Sequence, residues 1–208
     1  MGATPYFMFC RRLLLSGAPW VAGTLFILSS SQTNGTSITT QDLPAIAQKA
    51  DSIADVTVVK STPYWLAPAG SRVIHTRVIF QVNRAIKGAS ASTLTLSLLG
   101  GEINGVGLKV PGMPQFSPGE RYILFSYTAD KNVVSPVLGF DQGALRVIHD
   151  NESNVDRVYR YWGEPVSQTH SFSSRVPVTS DTATREYLRS ADTVDQFVSR
   201  VTQLIGGH

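Results

Sequence analysis

Cysteine is almost missing from this chain of 208 residues, which has one, Cys10. A chain without a cysteine pair has no disulfide and no thiolate metal site, so packing has to stabilise the fold. Charge is also sparse: 16% of the residues are charged, and the basic ones form no run. A nucleic-acid partner needs a clustered basic face, so we expect no nucleic-acid binding.

Histidine is scarce as well, with four in the chain: His75, His149, His170 and His208. None is spaced with another ligand residue as zinc sites require. The chain also lacks the G-x-S-x-G elbow that presents a catalytic serine in many hydrolases. We therefore expect no metal site and no cofactor.

The first 31 residues, by contrast, are typical of a signal peptide. Arg11 and Arg12 supply the positive end, a run of 16 almost wholly apolar residues follows, and small residues permit cleavage after Ser31. We predict an exported protein, periplasmic or extracellular. An uncleaved membrane anchor is the alternative, although a spanning helix needs about 20 apolar residues. The arginine pair also resembles the twin-arginine motif, so both that route and the general secretory route stay open.

The rest of the chain divides by composition. Residues 32–40 are a polar spacer, 41–162 a β domain, 163–190 an arm rich in Ser, Thr and Pro, and 191–208 a C-terminal helix packed on the β domain. We interpret the arm as a long surface segment. Outside the signal peptide, the length suffices for one hydrophobic core.

Periodicity predicts the elements of the β domain. Apolar and polar side chains alternate in the strands, and a hairpin is expected at Asn104-Gly105. The predicted strands are Asp55–Lys60, Val73–Ile86, Thr93–Leu99, Arg121–Tyr127 and Ala144–His149. A short helix is expected over Gln41–Ala50, and a capping box from Thr193 to Gln196 begins an amphipathic C-terminal helix. The fold class is therefore mainly β, a small antiparallel barrel or sandwich with two peripheral helices.

The stretch from Leu98 to Tyr127 holds six of the 17 glycines and three prolines. Glycine adopts backbone conformations that other residues resist, and proline removes backbone donors, so we interpret it as a shaped connection. The residues expected to shape it are Gly100, Gly101, Gly105, Gly107, Pro111, Gly112, Pro114, Phe116, Gly119, Glu120 and Arg121. Glu120 or Arg121 is expected to lock it by satisfying its backbone groups.

Three runs carry a resemblance: ADVTVVKSTPYW, VIFQVNRAIKG and LGGEINGVGLKVPGMPQFSPGERYILF. They resemble a family of small exported bacterial proteins of unassigned function, whose hallmark GGxxxGxGxxVPGxPxFxxGER matches residues 100–121. Lys60 departs from the glycine of the family's first strand. The strand order is also similar to the netrin-like, oligonucleotide/oligosaccharide-binding-type (OB-type) barrel of tissue metalloprotease inhibitors. That resemblance implies a barrel, but the cysteine with which those inhibitors reach the protease metal has no counterpart in the mature chain.

The favoured function is a non-catalytic binding or regulatory domain that acts on a protein partner, with an exported protease as one possible target. Tyr64 and Trp65 are the binding candidates, because aromatic side chains anchor partners and Pro63 suggests a turn. The alternatives are a hydrolase that uses Glu120 or the His149-Asp150 pair, and an envelope structural protein. A membrane is expected to be contacted only through an uncleaved signal segment.

Overall fold

A computed structural model of the chain describes residues 41–67, 72–88, 91–128, 133–167 and 181–207. The predicted signal peptide and spacer, and residues 168–180 of the predicted arm, lie outside these ranges. The elements in chain order are α1 (Leu43–Lys49), β1 (Ser52–Leu66), β2 (Val73–Lys87), β3 (Thr93–Leu99), β4 (Gly101–Ile103), β5 (Val106–Leu108), β6 (Arg121–Ser126), β7 (Ala144–Asp150), β8 (Val155–Tyr159), α2 (Asp181–Arg189) and α3 (Val194–Gly206).

Six of the strands form one antiparallel sheet in the order β3-β2-β1-β6-β7-β8, and β4 pairs with β5 in a separate hairpin. The prediction of a mainly antiparallel β fold with one short and one C-terminal helix is confirmed. The barrel is not formed, because closure requires the two edge strands to pair. Instead β8 makes bridges from Arg157 to Thr193 and from Tyr159 to Pro165, so the chain leading to α3 occupies that edge.

Local signals fix the N-terminal ends of both predicted helices. In α1, the Asp42 side chain accepts a hydrogen bond from the Ala45 amide, and proline lies in the first turn. At α3, Thr193 Oγ1 accepts from the Gln196 amide at 3.3 Å, and the Gln196 side chain accepts from the Thr193 amide at 2.9 Å. This reciprocal pair is the predicted capping box.

Face A of the sheet packs on these two helices. Three almost fully buried side chains point to this face: Ile53 of β1, and Ile123 and Phe125 of β6. Phe125 meets Phe197 of α3 edge to face, with ring centroids 6.5 Å apart. The buried face of α3 therefore belongs to the core, as its amphipathic pattern predicts.

Face B is covered by the glycine-rich segment (residues 100–119). Val56, Phe80 and Leu124 lie on this face and are buried with Phe116 of the segment. The pairing of β1 with β2 shifts at Val59, which has no partner and is 55% exposed. This β-bulge changes which residues of β1 point to face B, from even-numbered before it to odd-numbered after it.

Helix α2 was not predicted, because its sequence was included in the polar arm. Nine residues, Asp181–Arg189, form it. Strand β8 holds the end of α2 and the chain after it, since the Tyr159 hydroxyl donates to the Leu188 carbonyl and Arg157 donates to the Ala191 carbonyl. The end of the predicted arm is thereby tied to the sheet.

Candidate functional site

The glycine-rich segment is fixed to face B by an aromatic anchor. Phe116 lies edge to face against Phe80 at 5.1 Å and against Tyr122 at 4.9 Å, and it is 5% exposed. Such contacts combine apolar burial with favourable ring electrostatics. The segment is therefore a packed part of the domain, in agreement with its interpretation as a shaped connection.

Glu120 fixes the end of the segment. Its Oε2 accepts hydrogen bonds from the Ser117 amide at 3.0 Å and from the Tyr122 hydroxyl at 2.8 Å, while Oε1 meets Arg146 at 3.2 Å. Burial raises the pKa of Tyr122, and its hydrogen bond to Glu120 raises the pKa further. Glu120 thus satisfies a backbone donor of the segment, which was the role expected for Glu120 or Arg121.

Two further anchors come from distant parts of the chain. The Tyr161 hydroxyl accepts a hydrogen bond from the Gln115 amide and donates one to the Gln115 carbonyl, both at 2.8 Å. The Asp141 amide donates to the Gly112 carbonyl at 3.0 Å. Sequence reasoning missed these contacts, because no local pattern connects residues so far apart.

Between the segment and the sheet lies a cleft of about 550 Å³, which we call the glycine cleft. Its sheet side is formed by Ser61, Pro63, Thr76, Val78 and Leu98, and its segment side includes Gly107, Leu108, Lys109, Met113 and Gln115. The charged residues of the lining are Glu102, with one carboxylate, and Lys109, with one ammonium group. The lining is thus mixed, with apolar walls and a few polar groups, as in many ligand sites.

Glycine allows the segment to turn sharply at the cleft. Gly101 has a φ of +134°, and a β-carbon there would lie 2.5 Å from Thr76 Oγ1 and 3.2 Å from the Pro63 β-carbon. The segment therefore crosses β1 and β2 at a distance that side chains do not permit. The hairpin that follows turns at Asn104 and Gly105, both with positive φ, as predicted.

We expected Tyr64 and Trp65 to lie in a turn, and this prediction was wrong. Both residues lie within strand β1. Successive side chains of a strand point to opposite faces, so the two aromatic residues do not form one surface. Trp65 is on face B with Pro63, is 37% exposed, and carries the Arg72 guanidinium 4.8 Å from its ring centroid. Tyr64 is on face A, on the other side of the sheet from the cleft.

On face A, Tyr64 belongs to a polar patch that sequence reasoning missed. Ser97 Oγ lies 2.7 Å from the Tyr64 hydroxyl and 3.2 Å from His75 Nδ1. The Arg77 guanidinium lies 4.9 Å from the centroid of the Tyr64 ring. We call these four residues the face A patch. Antiparallel pairing of β1 with β2 and of β2 with β3 brings them together, and the strand alternation alone does not reveal this.

Arg121 takes part in a different network, at the opposite end of face A. It donates to Asp55 from Nε at 2.8 Å and from Nη2 at 2.6 Å, and to Asp156 from Nη1 at 2.5 Å. Asn83 also donates to Asp55, at 3.1 Å. The hydrogen bonds and charge of Asp55 raise the pKa of Arg121 above its ordinary value. Arg121 thus makes its contacts on face A, away from the segment, and borders a groove of about 470 Å³.

His149 is paired with Asp156 and not with Asp150. Its Nδ1 lies 2.8 Å from Asp156 Oδ1, across the β7–β8 pair. Asp150 instead accepts from Arg157 Nε at 3.1 Å. The hydrogen bond from His149, together with Arg121, lowers the pKa of Asp156 below its ordinary value. Adjacent residues of a strand face opposite ways, which is why the His149-Asp150 pair of the hydrolase alternative is not formed.

Among the described residues, no group of three or more His, Cys, Asp or Glu side chains is arranged to hold a metal ion. No helix in the same part of the chain is long and apolar enough to cross a membrane. Comparison of the chain with protein-family models, curated proteins and solved structures finds no match. The resemblance to exported bacterial proteins and to netrin-like barrels therefore stays a prediction.

Proposed function

We propose that this protein is an exported, non-catalytic domain that binds a protein partner in the glycine cleft. The observation that carries the proposal is the cleft of about 550 Å³ between the sheet and the segment. Phe116, Glu120 and Tyr161 hold the segment in place, so the cavity is preformed. A preformed site loses little conformational entropy on binding.

The apolar surface around the cleft favours a protein over a small solute. Val106 and Leu108 of the hairpin are 54% and 36% exposed, and Trp65 is 37% exposed beside Pro63. Exposed apolar side chains near a cleft favour a protein partner, and tryptophan is enriched in protein interfaces. A partner that fills the cleft and covers this rim would bury all three side chains.

The residues proposed for hydrolysis have other partners. The carboxylate of Glu120 is bound to Ser117, Tyr122 and Arg146, and it stabilises the segment. His149 is bound to Asp156 on face A, whereas Glu120 points to face B. Each of the two candidates is thus held by contacts within the fold, so we favour binding over hydrolysis at either of them.

The test is affinity capture by the full chain from the envelope and culture supernatant of the producing organism, read by mass spectrometry. Ser61→Phe would place a large side chain in the cleft. Val59→Phe is the matched control on the same strand, because Val59 is exposed to solvent. We expect a partner that both wild type and Val59→Phe recover and that Ser61→Phe loses. Equal recovery by all three proteins, at equal melting temperature, would reject the cleft as the site.

A further inference from the structure

We infer that the partner presents an extended segment that adds to strand β3 as a further antiparallel strand and directs a carboxylate toward the face A patch. This inference rests on the proposed function and specifies how the partner is held. Its components are a strand edge with which no other described strand pairs, a row of leucines on face B that leads to the glycine cleft, and the positive charges of Arg77 and Lys60 on face A.

The edge of β3 offers an unused set of backbone groups. The Val82 amide donates to the Ser92 carbonyl, and the Gly100 amide donates to the Ile74 carbonyl. Hydrogen-bonded pairs alternate in an antiparallel ladder, so the even-numbered residues of β3 bond to β2. The amides and carbonyls of Thr95 and Ser97 therefore point away from the sheet. No other strand of the described residues pairs with this edge.

The sequence and pairing of this edge also lack the features that usually prevent strand addition. Its seven residues, TLTLSLL, include no proline and no charge, and the β2–β3 pairing has no bulge. Natural sheets protect such edges with lysine, proline, bulges or a covering segment. An open, regular edge is the template for recognition by β-strand addition.

On face B, the edge leads into the glycine cleft. Leu94, Leu96 and Leu98 point to this face, and Leu98 also lines the cleft. In an added strand, the residues opposite these leucines would point to the same face. We therefore expect apolar residues at alternate positions of the partner, one of them in the cleft.

On face A, Arg77 supplies a positive charge to the face A patch, beside Tyr64, His75 and Ser97. Lys60 lies one strand away from Arg77, opposite Ile79, and adds a second positive charge. The guanidinium of Arg77 is stacked on Tyr64, and no acidic residue occurs in residues 60–66, 73–81 or 93–99. An added strand would place its intervening side chains beside Ser97 on this face. A carboxylate there is the complementary group.

The probe is a displayed library of linear peptides of about 12 residues, long enough to extend past β3, selected on the full chain. We expect enriched peptides in which apolar residues alternate with polar ones that include Asp or Glu. A selected peptide should slow hydrogen exchange at the outward amides of Thr95 and Ser97. The amide of Leu96, which already bonds to β2, is the internal reference.

Variants of β3 distinguish backbone from side-chain recognition. Thr95→Pro removes an outward amide and leaves the β2 ladder intact, whereas Thr95→Val keeps the amide and removes the hydroxyl. We expect Thr95→Pro to weaken peptide binding about tenfold and Thr95→Val to have little effect. Arg77→Gln should weaken binding of an acidic peptide and not of its Asn or Gln analogue.

Several results would overturn the inference. The first is that the selection enriches no peptide. The second is that the selected peptides bind Thr95→Pro as tightly as Thr95→Val. The third is that protection at Thr95 rises with protein concentration alone, which would indicate that a second copy of the chain occupies the edge. If capture still depends on Ser61 while these results are obtained, the proposed function stands and only strand addition fails. If Ser61→Phe recovers the same partner as wild type, the proposed function fails, and the inference that rests on it fails with it.

Discussion

Arg121 of β6 holds the carboxylate of Asp55 of β1 in a two-pronged ion pair, with donor–acceptor distances of 2.8 and 2.6 Å. Asp55 is 2% exposed, so the guanidinium replaces the water that would otherwise solvate the charge. Loss of one partner of a buried pair leaves an uncompensated charge. We therefore expect Arg121→Met to lower the free energy of unfolding by about 3 kcal/mol, measured by urea denaturation.

The same pair allows a double-mutant test. Asp55→Asn with Arg121→Met removes both charges, so the double variant should be destabilised by less than the sum of the two single variants. The unfolding slope should stay constant across the series. Additive losses would show that the two residues contribute independently.

Asp156 should make the stability depend on pH in the acid range. Its pKa is lowered in the folded protein, first by the hydrogen bond from His149 and then by Arg121. The stability it contributes is therefore present above the unfolded pKa of about 3.9 and is lost as the pH falls through the lower folded value. We expect melting temperatures to fall less for Asp156→Asn than for wild type between about pH 6 and about pH 3. Equal falls would contradict the coupling.

Two glycines with positive φ should respond differently to the same substitution. Gly101 has Thr76 Oγ1 at 2.5 Å from the position of an added β-carbon, whereas Gly105 has nothing within 4 Å. Backbone strain costs about 1 kcal/mol at either position, and the contact at Gly101 adds about 2 kcal/mol. Thermal unfolding of Gly101→Ala and Gly105→Ala gives the comparison, and similar melting temperatures would refute it.

The capping box predicts a local effect on α3. Thr193→Ala removes the oxygen that accepts from the Gln196 amide, which should cost about 1 kcal/mol. Ser199→Ala is the control, since Ser199 is exposed in the middle of the same helix. The effect should appear in chemical denaturation, and a larger loss for Ser199→Ala than for Thr193→Ala would rule out the cap as its cause.

Local patterns were sufficient for several of the elements, but not for α2 or β8. Strand β3 has the predicted bounds, Thr93–Leu99, because its leucines alternate strictly with Thr and Ser. The cap of α3 was also predicted, because the capping box involves residues three apart in sequence. These signals are local, so a single sequence contains them in full.

Long-range contacts were not readable in the same way. Tyr161 fixes Gln115 across 46 residues, and Arg121 reaches Asp55 across 66. The choice of Asp156 over Asp150 as the partner of His149 depends on the β7–β8 register, which is set by pairing and not by adjacency. Sequence reasoning therefore identified the glycine-rich segment but could not identify the groups that anchor it.

Val59 has no partner in the pairing of β1 with β2, and it shifts the alternation of the strand. Each residue after it therefore points to the face opposite to the one that an unbroken alternation would give it. Before it, Val58 points to the face that carries the cleft; after it, Ser61 and Pro63 do. If Val59 instead took a regular, paired position in the strand, Ser61 and Pro63 would point to face A, and Thr62 and Tyr64 would lie under the glycine-rich segment. The bulge thus decides which side chains of β1 line the cleft, without any change in the side chains themselves.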